Sequence, residues 1–146
     1  MADFLALIYE LFYDVRFSEI FKVFYLDGGF VNLGLLFILL PLLGMFIFYI
    51  LLKNPYYKLR AWLICLAIIT IVVLFSSYFI SRSSIILSPD PLLQECLNRT
   101  TSGYQEFAYR LFVKIALLNF FMSMILSFIY SVILKRFSKI HMHLPI

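Results

Sequence analysis

Three observations predict an all-α integral membrane protein with three transmembrane helices. Residues 30–52, 61–80 and 115–134 contain no charged side chain. Each run is about 20 residues or longer, enough at 1.5 Å per residue to cross a hydrocarbon core roughly 30 Å thick. The chain of 146 residues is 64% hydrophobic, where a soluble domain would be nearer half apolar. The basic residues also gather in two clusters, Lys53, Lys58 and Arg60 after the first run and Lys135, Arg136 and Lys139 after the third. In lipid a helix satisfies its own backbone polar groups, so each run is read as a spanning helix. No polar stretch is long enough for a separate soluble domain, and residues 1–146 are read as one membrane domain.

Residues 1–26 come first. Asp3, Glu10, Asp14, Ser18 and Lys22 are spaced seven, four, four and four apart, which draws one polar stripe on a helix. Leu5, Ile8, Phe12, Val15, Ile20 and Val23 fall largely off it. Acids at the bilayer centre each cost a few kcal/mol, so an amphipathic interfacial helix is favoured over a fourth span. Its acidic polar face points to docking against protein rather than against anionic lipid. The stretch lacks a basic leader and a small-residue cleavage site, so no cleaved signal peptide is expected. Asp27-Gly28-Gly29 provides the turn into the first span, residues 30–52.

That span carries Gly34, Pro41 and Gly44 roughly on one face. Proline removes a backbone hydrogen bond and glycine lets a second helix come close. The three are expected at a helix-packing face, within the protomer or between subunits. Lys53-Asn54-Pro55-Tyr56-Tyr57-Lys58 makes a short turn. Trp62 follows as an expected boundary anchor, since its ring is amphipathic. Residues 61–80 form the second span.

Residues 81–110 form a loop with its own short helix, in which Asp90 is the N-cap and Pro91 the first helical residue. Ser102 and Gln105 fit a capping box for a final helix running to about Arg136. Its spanning part is residues 111–134, and its first turns project beyond the bilayer. Tyr104, Phe107, Tyr109, Leu111 and Phe112 would give that projection an aromatic face needing cover. Ser123, Ser127 and Ser131 recur every four residues, with Ala116 and Asn119 continuing nearly the same face. Small residues and interhelical hydrogen bonds drive helix association in lipid. The ladder is the best-defined contact face of the chain. It serves packing inside the protomer, packing between protomers, or the lining of a pore. Residues 135–146 are a basic tail.

Positive residues favour the cytoplasmic side. The basic clusters lie two spans apart and so share a face. The expected topology puts the N-terminus and residues 81–110 outside and the C-terminus in the cytoplasm of a bacterial inner membrane. Cys65 inside the second span and Cys96 in the loop are too far apart for an intrachain disulfide.

Apart from Lys114, which is near a span end and can snorkel, the spans hold no ionisable Asp, Glu, Lys, Arg or His, which argues against a pump, a proton-coupled transporter or a voltage sensor. P-loop, G-x-S-x-G and H-E-x-x-H patterns are missing. His141 and His143 lack converging ligands, and Asn98-Arg99-Thr100 is a sequon of low specificity. No catalytic, cofactor-binding or metal residue is assigned, and neither nucleic acid nor a small-molecule substrate is inferred.

Residues 48–63, centred on Lys53-Asn54-Pro55-Tyr56-Tyr57-Lys58, resemble the first cytoplasmic turn of small multi-span membrane proteins of Bacteroidota. Leu134-Lys135-Arg136-Phe137-Ser138 and the closing Leu144-Pro145-Ile146 resemble their C-terminal end. These proteins accompany contractile-injection or type VI-like secretion loci. The resemblance covers about a quarter of the chain and carries no functional residues. It implies a membrane component of an envelope machine. The resulting expectation is a non-enzymatic multi-pass subunit that anchors or builds a membrane complex, bound to other subunits or to copies of itself. The alternative is a pore or channel former of holin type.

Overall fold

A computed structural model describes residues 7–51, 59–99 and 103–136. Those residues form an all-α multi-span membrane fold. Two 3-10 turns, Glu10–Phe12 and Val15–Phe17, precede helix α1, Ser18–Leu26. Helix α2, Gly29–Phe46, passes through Pro41 and ends in a π-helical turn, Ile47–Leu51. Helix α3 is Leu59–Ile86, α4 is Pro91–Asn98 and α5 is Tyr104–Lys135. The stretches Gly29–Tyr49, Leu59–Ile86 and Tyr104–Lys135 are long and apolar enough to cross a bilayer.

Helices α2, α3 and α5 pack against one another as a three-helix bundle. Contacts between named side chains fix its sense. Asn119 meets Ser77, and twelve residues further along α5 Ser131 meets Trp62, so α3 and α5 are antiparallel. Tyr49, at the far end of α2, also meets Ser131, so α2 runs parallel to α5. The charge-free run of α3 ends at Ile80 and that of α5 begins at Ile115. The helices therefore leave the hydrocarbon at matching heights. The end beyond those residues, with α1 and α4, is the cap. The opposite end carries the start of α3.

The N-terminal segment departs from the expected single amphipathic helix. The backbone turns extended at Tyr13 and Asp14, and the Asp14 carboxylate accepts from Arg16 N. This local bond offers an alternative to helix continuation, as Asp and Asn side chains commonly do. The stripe of Glu10, Asp14, Ser18 and Lys22 is thus no single helical face; Asp3 lies outside the described residues. Val15 points outward rather than into an apolar face. After the break, α1 buries Ile20, Phe21, Val23 and Phe24. Phe17 stacks on Phe107 at 4.1 Å and meets Tyr104 edge-on. The segment docks on protein, and the aromatic projection of α5 finds cover within the chain except at Tyr109, which is exposed.

The loop helix starts where its sequence dictates. Asp90 Oδ1 accepts from Leu92 N and Leu93 N, with Pro91 at the first helical position. The start of α5 differs from the expected capping box. Gly103, left-handed at φ 71°, occupies the N-cap without a side-chain cap, and Ser102 lies outside the described residues. Glycine takes that backbone conformation without a Cβ penalty. Spans two and three extend as helix beyond their apolar cores, whereas the first gives way to the π turn near Ile47. The 53–58 turn, Thr100 of the sequon, and 137–146 with His141 and His143 also lie outside the described residues.

Candidate functional site

The polar face of α5 enters the protomer interior. Asn119, Ser123, Ser127 and Ser131 are fully buried. Two of them gather hydrogen bonds from other elements. Asn119, one turn below the cap-side boundary, accepts from the Tyr9 hydroxyl at 2.7 Å and donates Nδ2 to Ser77 Oγ at 2.9 Å. Ser131, near the other end, accepts from Trp62 Nε1 at 2.9 Å and pairs with the Tyr49 hydroxyl. Each hub joins three segments: the N-terminal segment, α3 and α5 at one end, and α2, α3 and α5 at the other.

Between the hubs the ladder acts by size. Ser123 Oγ returns its hydrogen bond to Phe120 O on its own helix. Ser127 Oγ is buried without a hydrogen-bond partner among the described residues. Both let α5 approach its neighbours where a larger side chain would hold them apart. The ladder thus packs within the protomer, one of the arrangements its spacing left open.

The α2 residues fall on the same interior. Gly34 and Pro41 are buried. Gly44 marks a close approach of α3, because a Cβ built there would sit 2.3 Å from Ile69 Cδ1 and 2.7 Å from Ile69 Cγ1. Gly29 is similarly tight against the Phe24 ring, at 2.7 Å, which locks the turn from α1 into α2.

Several participants were not read from the sequence. Helix α3 supplies a matching ladder in which Thr70, Ser77 and Ser81 are buried. Their spacing of seven and four was available as a signal. Thr70 and Ser81 bond back to α3 carbonyls, Thr70 to Leu66 O and Ala67 O and Ser81 to Ser77 O, which satisfies their hydroxyls locally. Trp62 corrects an expectation. At 5% exposure it is a core residue rather than a boundary anchor, because Ser131 offers its indole N–H an acceptor inside the bundle. Tyr9 and Tyr49 carried no sequence signal, since an isolated tyrosine shows nothing of where its hydroxyl ends.

The chemistry of the seam is that of neutral groups: hydroxyls, phenols, an amide and an indole. Burial pushes the Tyr9 phenol well above its ordinary pKa of 10.0. Among the described residues no group of three His, Cys, Asp or Glu is placed to hold a metal ion. No family model matches this chain, and neither a curated protein nor a solved structure matches it.

Proposed function

We propose that this chain is a non-enzymatic multi-pass subunit that anchors or builds a multisubunit complex in a bacterial inner membrane. Exposed apolar side chains on the cap carry the reading. Val15 is 76% exposed and Leu87 76%, and Leu92 on α4 is also exposed. Arg16 O accepts from Tyr104 Oη, which places Val15 beside the start of α5, about 16 Å beyond Ile115 at the helical rise. Leu87 lies about 10 Å beyond Ile80 by the same measure. Hydrocarbon does not reach so far, and exposed apolar patches outside the membrane mark contact surfaces. The serine ladder is occupied inside the protomer, so the cap is the better candidate for association. The basic clusters favour a cap facing outward, with both termini as expected from sequence, and the partial resemblance to companions of injection machines gives such a complex a setting.

The rival reading is a pore. It requires the ladder to face a water-filled lumen, and Ser131 and Asn119 are engaged with Tyr49, Trp62, Tyr9 and Ser77 instead. The test is native-gel sizing of the tagged full-length protein from its own membranes in mild detergent, beside dye leakage from liposomes holding the purified protein. A complex much larger than the 17.2 kDa chain is expected. Val15→Gln with Leu92→Gln should shrink that complex without changing thermal stability. A monomer in native membranes would sink the subunit reading, and dye leakage would favour the pore.

A further inference from the structure

A groove follows the seam between α3 and α5 on the lipid-facing side, and its polarity changes along its length. At membrane depth a slot of about 240 Å³ is walled by Leu74, Phe75, Tyr78, Val113, Ala116 and Leu117. Nearer the cap lies a second hollow of about 200 Å³, bordered by Gln94, Asn98, Gln105 and Tyr109 with Phe112 against it. The Tyr78 and Phe112 rings meet edge-on at 6.2 Å, so one ring from each hollow forms the wall between them. One turn beyond Tyr78, at the height where α3 leaves the hydrocarbon, stands Arg82. It lines a further recess with Phe79 and Ser83. Arg82 is exposed and makes neither an ion pair nor a hydrogen bond among the described residues.

We propose that this groove binds one phosphatidylglycerol molecule of the cap-side leaflet. An acyl chain lies in the slot, the phosphodiester meets Arg82, and the glycerol headgroup reaches the amide-lined hollow. Depth supports the first two parts. The slot lies below the heights of Ile80 and Ile115 except at Val113, its cap-side rim, and a phosphate belongs just above them. Guanidinium–phosphate pairs are among the stronger charge-assisted hydrogen bonds.

The wall of the hollow selects the headgroup. Gln94 Nε2 donates to Ile86 O at 2.9 Å and Ser88 O at 3.0 Å, which leaves Oε1 as an acceptor. The Asn98 and Gln105 amides make no hydrogen bond among the described residues, so donors and acceptors are both present. A diol matches that mixture. An ammonium headgroup would seek a carboxylate, and the nearby Glu95 and Glu106 are held by Arg99 and Arg110 on their own helices. An apolar partner helix laid in the groove would cover Arg82, Gln94 Oε1 and the Asn98 and Gln105 amides without satisfying them, which costs free energy.

The experiment uses the full-length protein in mild detergent, equilibrated with equimolar phosphatidylglycerol and phosphatidylethanolamine, with retained lipid counted by native mass spectrometry. One phosphatidylglycerol per chain should be retained in about tenfold excess, the size of one or two headgroup hydrogen bonds. Asn98→Leu with Gln105→Leu should erase that preference, while Arg82→Gln should lower retention of both lipids, which share the phosphodiester. Val113→Trp, at an exposed position that fills the slot, should also lower retention of both. Lys114→Gln removes a cation of similar depth, placed instead over the Phe12 ring, and should leave retention intact. Equal retention of the two lipids by the unaltered protein would overturn the proposal. So would a loss of retention in Lys114→Gln matching that in Arg82→Gln, a preference that survives Asn98→Leu with Gln105→Leu, or unchanged retention in Val113→Trp.

Discussion

Ser127 and Ser131 are the same residue one helical turn apart, both fully buried on the same face of α5, yet alanine should act on them differently. Ser131→Ala removes the acceptor of Trp62 Nε1 and the partner of the Tyr49 hydroxyl. Interhelical polar contacts in membranes average about 0.6 kcal/mol, with a ceiling near 1.7. Two such contacts give an expected loss of about 1.2 kcal/mol, or roughly eightfold in the folded-to-unfolded ratio. Ser127→Ala removes a hydroxyl that has no partner among the described residues, and its effect should be near zero. Unfolding of each variant in mixed micelles, followed by far-UV circular dichroism, measures the difference. Trp62 is the only tryptophan, so its fluorescence gives a second readout that should shift in Ser131→Ala and stay fixed in Ser127→Ala. Equal destabilisation by the two substitutions, or a greater loss at Ser127, would refute the assignment of Ser131 as a hub and Ser127 as a spacer.

The spacer role makes its own prediction: Ser127→Leu should destabilise by about 1–3 kcal/mol through overpacking, while Ile125→Leu, at an exposed position, should be nearly silent in the same assay. Gly44→Ala should cost a similar amount because its methyl meets Ile69 Cδ1 and Cγ1. Adding Ile69→Ala should make the double variant less damaged than the two single losses combined, and strict additivity would argue against the contact. The Tyr9 phenol is raised by burial in the folded state, so the docked N-terminal segment should keep its full stability below about pH 10 and lose it as pH rises further. Absorbance titration at the tyrosinate band should show that Tyr9→Phe removes a group ionising later than exposed tyrosines; a difference in their ordinary range would count against burial.

The spans were legible because lipid imposes one rule over a long window: a charge-free run must be helix. Asp90 and Pro91 were legible because a cap and a fixed φ act within a few residues. The polar face of α5 was legible as a stripe, but its destination was not. A four-residue repeat describes one helix and contains nothing about which neighbour it meets. The N-terminal segment misled for the complementary reason. Its spacing fits a helix, yet the Asp14 carboxylate capping Arg16 N breaks the helix locally, and the Phe17–Phe107 and Tyr9–Asn119 contacts hold the pieces at separate points. Trp62 was misplaced because an amphipathic ring suits both a boundary and a core, and only the position of Ser131 decides between them. Nothing in the sequence singles out Arg82; that it stands one turn beyond Tyr78 of an apolar slot depends on where α5 lies.

The two hubs explain how so apolar a bundle keeps one arrangement. Lipid tails are as apolar as leucine, so apolar packing discriminates weakly between one rotation of α5 and another. Asn119 and Ser131 lie twelve residues apart, about 18 Å along the axis, both on the buried stripe that winds along α5. A turn of α5 about its axis by one residue would withdraw both hubs together and strand Tyr9, Ser77 and Trp62 at once. Each contact is worth little alone, but the penalty for the wrong rotation falls on all of them together. Buried polar groups that add little net stability can still select one register. In this bundle they also fix the N-terminal segment, through Tyr9, onto the helix whose outer turns it covers. The cap is thereby tied to the seam, and a change that frees Tyr9 from Asn119 would be felt first at the surface proposed for association.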